Sequence, residues 1–288
     1  MVTLENLAPR QALRAVQAEL AAAGCPDAGY DARELCRMAL GADPRLAPDA
    51  PPLNAAQAGT LAALARRRAA REPLQYIAGT WDFLDFTLRV GPGVLCPRAD
   101  SEVVCETAAA LLAGKQNPRV LDLCAGTGCL GLGIKRFVPE AAVRCVEKSE
   151  AAWPYLVQNA AHTLENLTVE PVRADVLDFW RSLGQNSVDL ILSNPPYLSA
   201  REMAGLMPET AREPAMALDG GADGLDFYRC LLRDYRAALA PGGAIVLEIG
   251  YAQREAVLAL AGANQWQGAA CRRDYGGNDR VIVVQKSY

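Results

Sequence analysis

One histidine, His162, stands in a chain of 288 residues. Its isolation rules out a metal centre of clustered imidazoles and would leave a Ser-His-Asp hydrolase dependent on one side chain in an expected helix. His162 is therefore read as structural. The nine cysteines are odd in number and include no Cys-x-x-Cys pair, which argues against a disulfide framework or a zinc ribbon and fits a reducing cytoplasm. No apolar run is long enough to span a bilayer. Residues 1–10 carry Glu5 and Arg10 and lack the basic-then-apolar order of a secretory signal. Positive charge is not in surplus either: the formal net charge of -4 argues against the broad phosphate-neutralising footprint of a nucleic-acid binder. No metal, no membrane and no stable nucleic-acid partner are expected. No long repeat or low-complexity tract appears.

What remains is an ordinary globular balance, 51% hydrophobic and 22% charged, in a chain long enough for one large domain and a smaller one. Alanine- and leucine-rich segments at 7–23, 31–40 and 54–71 read as helices, separated by Gly24-Cys25-Pro26 and a proline-rich connector at 44–52. Leu13, Val16 and Leu20 recur at helical spacing, and Asn54 stands where it would cap the third helix. Arg66, Arg67, Arg68 and Arg71 at its end could steer an acidic partner, and the favoured reading is a solvated face. Between 81 and 90 the pattern alternates, with Phe86, Leu88 and Val90 on one face before a Gly91-Pro92-Gly93 turn, as in a β-hairpin. The expected domains are a helical one at 1–78, a hairpin linker at 79–95 and an α/β domain at 96–288.

In that last region short apolar runs alternate with helical stretches, the pattern of a Rossmann-like parallel sheet covered on both faces. Seven strands are expected, at 120–123, 143–146, 168–173, 188–193, 244–249, 268–272 and 281–285. Too few residues separate the final two for a parallel crossover, so the last strand is expected to be antiparallel, as in a methyltransferase sheet.

Asp122-Leu123-Cys124-Ala125-Gly126-Thr127-Gly128 links the first strand to a helix. Its glycines admit a ligand close to the backbone, and amides at the helix start can meet a carboxylate. Glu147 ends the second strand, where its carboxylate can accept two ribose hydroxyls. Asp175 and Val176 follow the third strand and combine a polar group with an apolar one where an adenine can lie. Gly126, Gly128 and Gly131 also fit the dinucleotide expression Gly-x-Gly-x-x-Gly, so these features alone leave a nicotinamide cofactor open, and helix capping is an alternative role for Asp175. After the fourth strand comes Asn194-Pro195-Pro196-Tyr197. An amide-type nitrogen needs two acceptors and a flat wall: Asn194 offers a side-chain carbonyl, Pro195 a backbone carbonyl and Tyr197 a ring, while the prolines remove competing amide donors. Such a site suits methyl transfer from S-adenosylmethionine to a planar amide or amino nitrogen.

Asn-Pro-Pro-Tyr, the segment 213–229, Pro241-Gly242-Gly243, Leu247-Glu248-Ile249-Gly250, the run 274–281, the run 72–79 and Pro97-Arg98 together resemble the peptide chain release factor N5-glutamine methyltransferases of the PrmC or HemK type. The resemblance covers most of the chain from Glu72 onward. It implies a class I fold, conversion of S-adenosylmethionine to S-adenosylhomocysteine, and a cytoplasmic enzyme, expected to be a monomer, acting on the Gly-Gly-Gln glutamine of a class-one release factor to modulate translation termination. It further implies that Cys124 to Gly128, Glu147, Val176 and Asn194 contact the cofactor, that Asn194 to Tyr197 hold the glutamine, and that the helical domain helps hold the factor; Asp122 and Asp175 are also expected among the cofactor-binding residues. Two departures stand out. Cys124 replaces a usual glycine and Ala125 a common threonine, which close backbone approach tolerates where φ is negative. In addition, Pro97-Arg98-Ala99-Asp100-Ser101-Glu102 replaces Pro-Arg-Pro-Glu-Thr-Glu, with Ser101 keeping the hydroxyl. The competing readings are an adenine-N6 nucleic-acid methyltransferase and a non-catalytic cofactor-binding adaptor.

Overall fold

The computed structural model describes residues 4–46 and 49–287, and the chain divides into two compact units. The first comprises the chain up to Gly79 together with Met207–Arg212; the second comprises Thr80–Leu206 and the chain from Glu213 onward. Two residues of the proline-rich connector, 47 and 48, and the first three of the chain lie outside the described residues.

The first unit is helical, with α1 (Pro9–Ala22), α2 (Ala28–Leu40), α3 (Ala55–Ala69) and the short α4 (Leu74–Ala78). Proline opens α1 at a position where its missing N–H costs nothing, and Ala12, Val16 and Leu20 form the buried stripe. Asn54 caps α3 reciprocally: its Oδ1 accepts the Gln57 amide at 2.9 Å while Gln57 Oε1 accepts the Asn54 amide at 3.2 Å. Gly41 and Gly79 end α2 and α4 in the left-handed region, with φ of 77° and 74°. At the arginine-rich end of α3, Arg66 and Arg67 are exposed as expected of a solvated face, whereas Arg68 is buried and Arg71 half-buried. Arg68 is only 5% exposed; its Nε donates to Asp31 at 2.7 Å and its Nη2 to Glu209 at 2.8 Å. Both Glu209 oxygens also accept from Arg71, at 2.6 Å each. The expected boundaries gave Met207–Arg212 to the α/β domain, but this cluster explains why the segment belongs to the helical unit: Glu209 balances two guanidinium groups, one of them buried.

The second unit opens with the antiparallel hairpin β1 (Thr80–Phe83) and β2 (Phe86–Arg89). Next come α5 (Glu102–Leu112), β3 (Arg119–Leu123), α6 (Cys129–Phe137), β4 (Ala142–Glu147), α7 (Trp153–His162), β5 (Glu170–Arg173), α8 (Val176–Phe179) and β6 (Val188–Ser193). The chain continues through α9 (Ala200–Met203), α10 (Asp226–Asp234), β7 (Leu239–Glu248), α11 (Arg254–Ala263), β8 (Gln267–Arg273) and β9 (Asp279–Gln285). Seven strands form one sheet in the order β5-β4-β3-β6-β7-β9-β8. The last strand inserts antiparallel between β7 and β8, as its short connection requires.

The continuous apolar strands follow from burial on both faces. Val120 and Leu192 belong to a core shared with α5, α6 and α7, while Leu121 and Ile191 pack with Tyr228, Leu231 and Val257 on the opposite face. Strand bounds shift where local chemistry competes. β7 begins at Leu239, ahead of Pro241-Gly242-Gly243, because the ladder bulges between Val188 and Leu190 and accommodates the turn-like residues. β5 starts later than expected and tolerates Pro171 because it is an edge strand. Register fixes the functional edge: Leu123 pairs with Val146 and Ser193, and Ser193 pairs with Leu247. The carboxyl ends of β3, β4, β6 and β7 are therefore level, where an open α/β sheet places its ligand crevice.

Candidate active site

At the end of β3 the backbone turns through left-handed conformations at Cys124, Gly126 and Gly128, with φ of 62°, 56° and 82°. The condition of a negative φ, under which a side chain is tolerated there, is thus not met at Cys124. The residue occupies a conformation that a glycine adopts freely, at a cost of about 1–3 kcal/mol for other residues. Ala125 lies outside the left-handed region. Glu147 holds the turn directly: its Oε2 accepts the Gly126 amide at 2.8 Å and its Oε1 the Ser149 amide at 2.6 Å. Each oxygen keeps a further lone pair. Asn159 of α7 braces the same turn, donating to the Thr127 carbonyl at 3.0 Å while clamping both backbone groups of Arg89.

Asp122 behaves differently from the expectation of cofactor contact. It is fully buried beneath the turn, and its Oδ2 accepts the Gly131 amide at 2.8 Å. Burial pushes its carboxyl up to about 7 against the lowering effect of that bond. Gly131 serves packing: a Cβ there would lie 2.3 Å from Cys145 Sγ. Thus the third glycine of Gly-x-Gly-x-x-Gly lets α6 lie close to β4.

A cleft enclosing about 1010 Å³ including its mouth runs from this turn to the end of β6. Cys124, Ala125, Gly126, Thr127, Glu147, Asp175, Val176 and Asn194 line it, as does Pro196. Asp122, Gly128, Pro195 and Tyr197 are not among its lining residues. Asp175 does cap α8, accepting the Leu177 amide at 3.0 Å, and it also pairs with Lys148 at 2.6 Å. Tyr197 falls outside the lining because its carbonyl is held by Gln253 Nε2 at 2.8 Å and its ring lies beside Gly250.

The motif is held from behind by residues to which sequence reasoning gave no physical role. A Cβ on Gly220 would lie 2.8 Å from the Pro196 carbonyl and from Tyr197 Cα, so the glycines after Asp219 permit backbone-to-backbone packing. Leu198 and Gly220 exchange further support, the Gly220 amide donating to the Leu198 carbonyl at 2.9 Å. Arg98 lines the cleft and pairs with buried Glu213 at 2.6 Å. Burial raises the Glu213 carboxyl, with Arg98 opposing that shift. Ser101 and Glu248 also reach this end: Ser101 Oγ donates to Glu248 Oε2 at 2.6 Å, and Asn194 Nδ2 donates to Ser101 Oγ at 3.4 Å. The preserved hydroxyl at 101 and the acidic residue within Leu-Glu-Ile-Gly were the available signals. Burial pushes the Cys129 thiol up to about 12 and raises those of Cys96 and Cys124 as well, so none of these three cleft cysteines supplies a thiolate at neutral pH.

The cleft suits an adenosyl group on its own chemistry. Glycines open the turn, a half-buried carboxylate retains acceptor capacity, and Val176 with Leu177 gives an apolar strip beside Asp175. A parallel sheet closed by an inserted antiparallel strand, with a glycine turn and an acidic strand end on one edge, defines a seven-stranded methyltransferase. A methyltransferase from Pyrococcus furiosus has this fold, with a TM-score of 0.51 and 16% identity over 77% of this chain and 99% of that one. Residues 11–79 match the PrmC N-terminal domain and 93–221 the methyltransferase small domain. The chain belongs to the release factor glutamine methyltransferase family. It is 39% identical over 277 residues to the Cereibacter sphaeroides member, covering 95% of this chain and 97% of the relative. With the Thermodesulfovibrio yellowstonii member it shares 37% over 240 residues, 82% of this chain and 85% of the relative.

Proposed function

We propose that this chain methylates the side-chain amide N5 of the glutamine in the Gly-Gly-Gln loop of a class-one peptide chain release factor, in the cytoplasm, and thereby modulates translation termination. The supporting observation is that Asn194 lines the same cleft as Gly126 and Glu147, so one cavity offers both an adenosyl-type site and an amide acceptor. Glu147 would accept the ribose hydroxyls of the cofactor with the lone pairs that Gly126 and Ser149 leave free, and the Asp175–Val176 strip would flank its adenine. The turn from Cys124 to Gly128 would receive the amino-acid portion of the cofactor. S-adenosylmethionine supplies an electrophilic methyl group on a charged sulfur when bound.

The remaining work is orientation. Asn194 Oδ1, on the cleft wall, would accept one N–H of the glutamine amide, and the carbonyl of the adjoining Pro195, a residue outside the cleft lining, would accept the second, which would orient the amide's out-of-plane face for methyl transfer. Tyr197 backs this arrangement, held in place by Gln253 and the glycines after Asp219. The helical unit adds grip on the release factor, and the chain acts as a monomer.

Incubating the protein with labelled S-adenosylmethionine and a release factor, followed by mass spectrometry of the loop peptide, tests the assignment. One methyl group on the loop glutamine is expected, and none after that glutamine is replaced. Label on nucleic acid, or on the factor irrespective of the glutamine, would overturn it.

A further inference from the structure

A short chain of buried polar groups ends at the cleft beside Asn194. Glu248, at the end of β7, and Ser101, just before α5, are each 1% exposed. The Ser101 hydroxyl carries one proton, and the 2.6 Å bond to Glu248 Oε2 uses it. Only lone pairs then remain on Ser101 Oγ. The Asn194 amide must meet them with its nitrogen, as it does at 3.4 Å, and its oxygen faces the other way. We propose that Ser101 and Glu248 are positioning residues that fix the Asn194 amide with Oδ1 toward the methyl acceptor, so that the site selects an N–H donor over an acceptor such as a carboxylate. This inference rests on the role given to Asn194 above and explains how that residue distinguishes an amide from an acid.

Only the ionised form of Glu248 enforces the order. Once protonated, the carboxyl can donate to Ser101, which frees the hydroxyl proton for Asn194 Oδ1 and turns the amide over. Several groups bear on that equilibrium. Burial is the largest influence and pushes the carboxyl up to about 7, against the Ser101 bond and the charges of Arg280 and Arg98, while Asp100 reinforces burial. Arg280 of β9 is itself shared with Asp274 at 3.1 Å and Asp100 at 3.2 Å. The phenols of Tyr197 and Tyr228 also bear on Glu248, the latter donating to the Glu248 backbone carbonyl at 2.9 Å. The thiols of Cys105 and Cys129 complete the set, both held neutral by burial.

The test compares wild type, Ser101→Ala and Ser101→Thr for S-adenosylmethionine affinity by calorimetry and for methyl transfer to a release factor from the acid to the alkaline side of neutrality. Ser101→Ala is expected to lose about tenfold to a hundredfold in kcat, with the cofactor Kd and the factor KM moving no more than about twofold. Ser101→Thr restores most of the rate because it restores the hydroxyl. Wild-type kcat declines on the acid side as Glu248 takes up its proton, and that limb is missing from Ser101→Ala. An alanine variant with wild-type kcat, a threonine variant no better than alanine, or an acid limb that survives in the alanine variant would each overturn the proposal. Wild type that binds S-adenosylmethionine yet leaves the loop glutamine unmethylated defeats the substrate assignment by itself, before any variant is compared.

Discussion

The two ends of the cleft hold their carboxylates by different means. Beside the glycine turn, Glu147 takes amide protons from Gly126 and Ser149, and Asp122 takes one from Gly131. Beside Asn194, Glu248 takes the proton of a serine hydroxyl and Glu213 pairs with the Arg98 guanidinium. Backbone donors are fixed by the course of the chain and keep their protons at any pH the protein meets. Side-chain donors can reverse direction or be lost by substitution. One end is thus organised as shape and the other as polarity, which suits the roles proposed for them, a cofactor end that must fit and a substrate end that must orient.

The largest effect that separates the ends is expected from Asn194→Ala, which should lower kcat by about a hundredfold to a thousandfold while cofactor affinity, read by calorimetry, stays near wild type. An unchanged rate would remove Asn194 from the chemistry and break the comparison. Glu147→Ala should do the reverse, raising the Kd for S-adenosylmethionine by about tenfold to a hundredfold, since about 1.4 kcal/mol is lost per factor of ten. At saturating cofactor its kcat should change little. If Glu147→Ala instead lowered kcat with Kd intact, the division of labour would be wrong.

The smallest effect concerns stability. The Asp122 carboxyl is raised by burial from 3.8 to about 7, so the folded state holds the proton more tightly than the unfolded one. Its contribution is fully present below the ordinary carboxylate value and is lost as pH rises through about 7. Denaturant titrations of Asp122→Asn should therefore show a shallower loss of stability across that window. Some slope will persist, because Glu248 is raised to about 7 in the same way. A variant with the full wild-type slope would show that Asp122 does not titrate there.

The same contrast explains what could be read from the sequence. The glycine turn is built from neighbouring residues, and Glu147 lies one strand on, so local spacing revealed both. The antiparallel last strand was legible because a connection through Gly276-Gly277-Asn278 leaves no room for a crossover. The proposed substrate end was legible only at Asn194-Pro195-Pro196-Tyr197. Its supports come from the turn before α5, from the glycines after Asp219 and from the tip of β7, and only folding brings these together. Asp122 misled because an acidic residue in a ligand-binding turn reads as a contact, while its burial depends on how α6 packs over β3. Cys124 misled because side-chain size says nothing about φ. Arg68 read as solvated because its counter-charge, Glu209, lies 141 positions further along the chain.

That distant counter-charge has a practical consequence for anyone dividing the molecule. The polypeptide passes between its two units at 79/80, at 206/207 and again at 212/213, so no single cut yields both pieces whole. An N-terminal fragment ending at Gly79 would keep Arg68 with Asp31 but leave both Arg68 and Arg71 without Glu209. The complementary fragment would carry an orphaned Met207–Arg212 on the loop that follows Tyr197. In evolutionary shuffling, the helical unit and the methyltransferase core would therefore have to be exchanged as one inheritance.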